Sequence, residues 1–158
     1  MQRRSAGILL YRNHDWGQTP IVMLGHMGGP YWARKDEGAW SIPKGEYLEG
    51  EAPVDVARRE FLEETGMPVP DGALLDLGEV RQSGGKVVHA WAVEGDLDVA
   101  GVVSNTFELE WPPKSGRLQH FPEIDRAEWF DLDTAAEKVV KGQREFLTRL
   151  RAAITIGV

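Results

Sequence analysis

Three glutamates lie close together in the sequence: Glu60, Glu63 and Glu64. Their spacing of three and four residues places them on one arc of a helix, where their carboxylates come near one another. Like charges within one turn repel and lower helix stability. Hard divalent cations prefer carboxylate and carbonyl oxygens, and Mg²⁺ combines a few carboxylates with waters and substrate phosphates. The spacing is therefore consistent with a metal site, although an isolated acidic helix face is more often a solvated surface.

A helix is predicted over Ala52–Thr65 to carry these glutamates. Pro53 suits a first-turn position, the interior of the helix contains no glycine, and Gly66 can supply a left-handed C-terminal cap. The glutamates are expected to face outward. The opposite face should pack inward, and it carries Val54, Ala57, Phe61 and Thr65.

A longer pattern surrounds the glutamates. The segment Gly45–Met67 fits G-x5-E-x7-R-E-U-x-E-E-x-G-U, where U is an apolar residue, at every fixed position. If each Gly, Glu and Arg position is filled by chance at roughly 6%, a whole chain matches about once in a million tries. The pattern resembles the Nudix box of the Nudix hydrolases, which cleave a nucleoside diphosphate linked to another moiety and use Mg²⁺ or Mn²⁺. The fixed positions are Gly45, Glu51, Arg59, Glu60, Phe61, Glu63, Glu64, Gly66 and Met67.

The resemblance implies roles for the acidic residues of the box. Glu60, Glu63 and Glu64 would bind the metal ion, and the backbone carbonyl of Lys44 is a further candidate ligand. The expected reaction is attack of water on a phosphorus atom of a pyrophosphate linkage.

Four other residues of the pattern are expected to support this site. Arg59 can hold Glu51 by a forked ion pair across the junction between loop and helix, which would fix the carboxylates. Gly45 and Gly66 are expected to serve the local backbone structure.

The general base is left open between the box helix and a later loop. Glu123 lies six residues before Trp129. This arrangement resembles a stretch that gives some dinucleoside polyphosphate hydrolases a further catalytic or metal-binding carboxylate. The alternative is a loop carboxylate with no role, and Glu108 and Glu110 are rival candidates.

A second motif precedes the box. The residues Trp40–Glu46 resemble the W-x-x-P-K-G stretch common in hydrolases of diadenosine and inositol polyphosphates, which would place Trp40 and Lys44 beside the substrate. Alternatively, Trp40 only shapes the loop and Lys44 is solvated. Further candidates for phosphate contacts are Lys35, Arg34, Lys86 and His89, and candidates for stacking on a base are Tyr31, Trp32 and Trp111.

The residues after the box narrow the choice of substrate. ADP-ribose hydrolases of the family tend to carry a proline about fifteen residues after the box, where this chain has Gln82 and Ser83. Nucleoside triphosphates or diadenosine polyphosphates are therefore favoured over ADP-ribose, nucleotide sugars and diphosphoinositols. A non-catalytic nucleotide sensor is the alternative from another class, although the intact box favours an enzyme.

Composition is consistent with a single domain spanning residues 1–158. The chain is 42% hydrophobic, which is enough to bury a core, and its net charge of −7 argues against broad binding to nucleic acid. It contains no cysteine and no apolar run of membrane-spanning length. A cytoplasmic monomer or homodimer that binds a small nucleotide is expected, with no membrane partner.

The remaining elements must position these residues. Strands are predicted at Ala6–Tyr11, Ile21–Leu24, Trp40–Pro43, Leu74–Gln82, Lys86–Val93, Val102–Trp111 and Ala127–Phe130, and helices at Asp133–Val140 and Gln143–Ile154. Turns or loops are predicted at Asn13–Pro20 and Gly25–Ala39. Strands interrupted by helices indicate an α/β domain with a mixed sheet. The resemblance implies the Nudix α/β/α sandwich.

Overall fold

A mixed β-sheet forms the centre of the protein in a computed structural model, which describes residues 3–13 and 19–156. In chain order the strands are β1 (Arg4–Asn13), β2 (Pro20–Met27), β3 (Trp40–Ser41), β4 (Lys44–Glu46), β5 (Leu75–Arg81), β6 (Val87–Glu94), β7 (Thr106–Glu110), β8 (Leu118–Pro122) and β9 (Ile124–Asp131). The helices are α1 (Pro53–Thr65), α2 (Leu132–Lys138) and α3 (Arg144–Ile156).

The sheet is mixed because one of its central pairings is parallel. Strands β1 and β6 run parallel, whereas β1 pairs antiparallel with both β2 and β4. The path β3-β2-β1-β6-β5 is extended by β9, which pairs with β2. Strand β1 therefore holds β4, and with it the first residues of the box, against the centre of the sheet.

Helices cover both faces of this sheet. Alternate residues of β1 point to opposite faces, so Ile8 packs in the same cluster as Phe61 of α1, and Leu9 in the same cluster as Phe146 of α3. Helix α2 contributes Leu132 to the α3 side. The expected α/β/α sandwich is confirmed.

Two sequence predictions need correction, and two strands were missed. Strand β2 continues to Met27, so the predicted loop Gly25–Ala39 begins later than expected. The predicted strand Val102–Trp111 is reduced to β7, which pairs with β8 in a separate two-stranded sheet. Strands β4 and β8 were not predicted. The expected turn Asn13–Pro20 lies largely outside the described residues.

Helix α1 has the predicted ends. Pro53 is its first residue, and Gly66 adopts φ 77° and donates its N–H to the carbonyl of Leu62. Within the part of the chain that the structure describes, no helix is long and apolar enough to span a membrane.

Candidate active site

Strand β4 brings Gly45 against the carboxylate of Glu60. A Cβ atom built on Gly45 would lie 2.1 Å from Cδ of Glu60. Real Cβ atoms do not approach other atoms so closely, so a side chain at position 45 would displace the carboxylate. Glycine therefore leaves the space that the Glu60 carboxylate occupies beside the strand.

Glu64 lies beneath the surface, which corrects the expectation that all three glutamates face outward. It is 8% exposed. Burial raises the pKa of Glu64 to about 9, and the charges of Glu60 and Glu123 act in the same direction. The ammonium and the backbone N–H of Lys44 oppose this rise. In the absence of a further cation, Glu64 is protonated at neutral pH.

Glu60 and Glu63 lie at successively more exposed positions on the same helix. Glu60 is partly buried, and burial followed by the charge of Glu63 raises its pKa, while Arg59 opposes the rise. Glu63 is exposed. Among the described residues, no group of three or more His, Cys, Asp or Glu side chains is gathered closely enough to hold a metal ion as the side chains stand.

Glu123 joins this cluster from the loop between β8 and β9. Its N–H donates to the carbonyl of Asn105 (2.9 Å), and its own carbonyl accepts from the N–H of Gly28 (3.0 Å). Burial raises the pKa of Glu123, and Lys44 opposes the rise. The rivals Glu108 and Glu110 are exposed on β7. The structure thus brings Glu123 to the box, while its rivals stay on the separate hairpin.

A segment that the sequence analysis did not identify fixes Glu123 relative to the box helix. The N–H of Val103 donates to the carbonyl of Thr65 (2.9 Å), and the N–H of Asn105 donates to the carbonyl of Glu63 (2.8 Å). Between them, Ser104 Oγ accepts the N–H of Ile124 (3.1 Å). These bonds use mainly backbone atoms, which leave no signature in residue type.

Arg59 forms the expected ion pair with Glu51, but the pair is not forked. Arg59 Nη1 donates to Glu51 Oε2 (3.0 Å), whereas Nη2 lies 3.9 Å from Glu60 Oε1. The other oxygen of Glu51 accepts the N–H of Leu48 (2.9 Å). Arg59 therefore divides its two nitrogens between the loop and the partly buried Glu60.

Lys44 links the carboxylates to a neighbouring cavity. In the pairing of β4 with β1, the N–H of Ile8 donates to the carbonyl of Pro43, and the N–H of Tyr47 donates to the carbonyl of Arg4. Because main-chain groups alternate along a strand, the N–H and carbonyl of Lys44 face away from β1. Its side chain lines a cavity of about 320 Å³, and burial lowers the pKa of Lys44.

The other expected substrate contacts fall in different places. Trp40 is 1% exposed and packs edge-on against Phe130 in the core, so the expected contact with substrate is not supported. Lys86 and Trp32 line the cavity beside Lys44. Lys35 is exposed and lies over the ring of Trp32, 5.2 Å from its centroid.

The remaining aromatic and polar candidates make contacts outside this cavity. Tyr31 meets Trp111 edge-on, with 5.2 Å between ring centroids. His89 stacks on Trp91 and lies 2.6 Å from a carboxylate oxygen of Asp76. Arg34 is exposed and is not part of the cavity wall.

His26 was not identified from the sequence, although it is fully buried beside the site. Its Nε2 lies 2.7 Å from the carbonyl oxygen of Lys35, and its Nδ1 lies 2.9 Å from Asp125 Oδ1. His26 therefore connects the loop after β2 with the residues that come after Glu123.

Comparisons with known proteins agree with this architecture. A family model described as the NUDIX domain matches residues 1–150. An octanoyltransferase of Myxococcus xanthus is 35% identical over 116 residues, which cover 73% of this chain. The match spans only 29% of that longer protein. An RNA pyrophosphohydrolase of Bartonella henselae is 27% identical over 159 residues, covering 94% of this chain and 87% of the relative.

Solved structures share the fold over nearly the whole chain. An Ap4A hydrolase binary complex from C. elegans superposes with a TM-score of 0.64 at 19% identity, covering 98% of this chain and 99% of the other. The NUDIX domain of Shewanella oneidensis NrtR, complexed with ADP ribose, gives a TM-score of 0.65 at 15% identity, covering 98% and 89%.

Proposed function

The chain belongs to the NUDIX domain family, and we propose that it is an enzyme that hydrolyses a pyrophosphate linkage in a nucleoside polyphosphate by attack of water on phosphorus. One observation carries the proposal. The buried Glu64 is surrounded by the charges of Glu60, Glu123 and Lys44. Such a concentration of carboxylates beside a cavity is unfavourable for folding and is typical of a functional site.

The donor set fits a divalent cation. Carboxylate oxygens are the ligands that Mg²⁺ and Mn²⁺ prefer, and the mutual repulsion of the carboxylates would be relieved by positive charge. Glu60, Glu63 and Glu64, with the carbonyl of Lys44, would hold it. When bound, the cation neutralises phosphate oxygens and makes hydroxide available at neutral pH.

The protein's own groups would orient the reaction. Arg59 would hold Glu60 in place while its ion pair with Glu51 anchors it to the loop. Both contacts are close to those observed, so Arg59 would need to move little. Glu123 would accept the proton of the attacking water, since burial raises its pKa toward the range in which a carboxylate is an effective base. Its backbone bonds to Asn105 and Gly28 support this by keeping the loop fixed.

The preferred substrate in this proposal is a nucleoside triphosphate or a diadenosine polyphosphate. Lys44 and Lys86 line the cavity next to the carboxylates and would favour several phosphates. The names of two similar proteins, an Ap4A hydrolase and an RNA pyrophosphohydrolase, are in keeping with polyphosphate substrates. ADP-ribose, with which the NrtR domain is complexed, is the alternative substrate.

A substrate panel with Mg²⁺ tests the proposal. Nucleoside triphosphates, diadenosine tetra- to hexaphosphates, a 5′-triphosphorylated oligonucleotide, ADP-ribose, a nucleotide sugar and a diphosphoinositol would be compared through phosphate release coupled to a pyrophosphatase or phosphatase. Hydrolysis of the polyphosphates that stops when the metal is chelated is expected. Binding of nucleotides without hydrolysis of any panel member would instead establish a non-catalytic sensor.

A further inference from the structure

Three walls of the cavity beside Lys44 come from distant parts of the chain and each carry a lysine, and Met27 and Trp32 complete the lining. One wall is Lys44 with the neighbouring β3, a second is Lys86 next to the 3₁₀ turn Ser83–Gly85, and a third is Lys141 in the 3₁₀ turn Lys141–Gln143. At about 320 Å³, the cavity lies within the range of small-molecule sites, about 300–1,000 Å³.

The lining residues of this cavity include lysines but no aspartate or glutamate. Three lysines, Lys44, Lys86 and Lys141, are among its lining residues, although the chain as a whole has a net charge of −7. None of the ion pairs found among the described residues involves Lys86 or Lys141, whereas the charge of Lys44 also acts on the nearby carboxylates of Glu64 and Glu123. Cations that line one cavity repel one another, so an anion would be stabilised there.

One amide group of the cavity is already engaged in hydrogen bonds within the protein. Gln143 is 1% exposed; its Oε1 accepts the N–H of Ile42 (3.0 Å), and its Nε2 donates to Ser41 Oγ (3.0 Å). Ser41 Oγ in turn donates to the carbonyl of Ile42 (2.8 Å). These bonds make the floor of the cavity rigid, and the flexible lysines are the charged recognition groups of its lining.

We propose that this cavity is a second phosphate subsite, in which Lys44, Lys86 and Lys141 hold the phosphates of the substrate that do not react, while the base stays outside. The inference rests on the proposed function, and it names Lys141 as a residue that determines specificity. Lys44 connects the two subsites because its backbone N–H donates to Glu64 while its side chain lines the cavity. Substrate phosphates would therefore extend from the carboxylate cluster over Lys44 into the cavity.

Direct binding of inorganic tripolyphosphate tests the subsite without any need for catalysis. Isothermal titration calorimetry in metal-free buffer would compare the full chain with Lys86→Gln, Lys141→Gln and the double variant. Lys114→Gln removes the same charge from the turn between β7 and β8 and serves as the matched control. Each single variant is expected to raise Kd about tenfold through loss of one charge-assisted contact, with the control unchanged. Equal affinity in all variants would overturn the subsite.

Competition and kinetics then identify the group that occupies the cavity. Adenosine is not expected to displace tripolyphosphate, and displacement would show that a base binds there and overturn the proposal. With adenosine di-, tri- and tetraphosphate as substrates, Lys141→Gln is expected to raise KM more for each added phosphate while kcat stays within about twofold. A uniform increase in KM for all three would contradict the proposal.

Failure of the subsite and failure of the proposed function give different results. Suppose that the wild-type protein hydrolyses no panel member, but that Lys86→Gln and Lys141→Gln bind tripolyphosphate more weakly than wild type while Lys114→Gln does not. The subsite then stands and the proposed reaction is wrong. If polyphosphates are hydrolysed but the lysine variants bind tripolyphosphate normally, the reaction stands and the subsite is wrong.

Discussion

Replacing Glu64 by Gln should stabilise the metal-free protein in a pH-dependent way. Glu64 is buried, and its pKa rises from 4.5 to about 9 on folding. A raised pKa means that the folded state favours the protonated carboxyl. The corresponding stabilisation is fully present below pH 4.5 and is lost as the pH rises toward 9. Glutamine has the same shape and stays neutral throughout.

The size of the effect depends on the unfolded chain, in which Glu64 ionises above its ordinary pKa of 4.5. Each further rise of one pH unit then costs the folded state about 1.4 kcal/mol, which amounts to about 3 kcal/mol by pH 7. For a chain of this size, about 3 kcal/mol corresponds to a difference in Tm of roughly 6–12 °C. The gap between Glu64→Gln and wild type should shrink at pH 6 and vanish near pH 4.

Thermal melts monitored by circular dichroism in chelator, at several pH values, measure this gap. Glu63→Gln is the matched control, because Glu63 is exposed on the same helix and its loss should change Tm little. Saturating Mg²⁺ should stabilise wild type more than Glu64→Gln. Both variants should lose at least about 10³-fold in kcat with Mg²⁺. A gap that is independent of pH, or equal in the two variants, would refute the burial argument.

Three other changes test the geometry of the site. Gly45→Ala should lower kcat and change Tm little, measured by hydrolysis and thermal melts, because its Cβ would displace the Glu60 carboxylate, the end of a flexible side chain; unchanged kcat would contradict the close approach. Arg59→Ala should lower kcat, and Arg59→Lys should restore it only in part, since a single ammonium cannot reach both Glu51 and Glu60; complete rescue would show that one contact suffices. Polyphosphates should exceed ADP-ribose at least about tenfold in kcat/KM, and Lys44→Ala should narrow that ratio; ADP-ribose as the best substrate would reverse this ranking.

Local patterns in the sequence predicted the helix and most of the sheet. The ends of α1 are set by Pro53 and Gly66, whose conformational preferences act within a few residues. The strands β1 and β6 contain short apolar runs, so both segments could be predicted as strands without knowledge of the strands they pair with. Strand β8 lacked such a run, since it is largely exposed and pairs only with β7.

The environment of individual side chains depended on packing that sequence spacing does not describe. Helical periodicity places Glu64 on the same arc as Glu60, but β4 and the Glu123 loop cover that part of the helix. Trp40 matched a motif associated with substrates and instead packs in the core. Lys141 joined the cavity because Gln143 fixes its turn against Ser41, a contact between distant parts of the chain.

The double role proposed for Lys44 rests on strand register. Its backbone N–H reaches Glu64 because Pro43 and Tyr47, rather than Lys44, make the hydrogen bonds to β1. Successive residues of a strand alternate the direction of both main-chain groups and side chains. A shift of one residue in the pairing of β4 with β1 would turn the N–H of Lys44 toward β1 and its side chain to the other face. The carboxylate cluster and the cationic cavity would then lose their common residue even though the box sequence was unchanged.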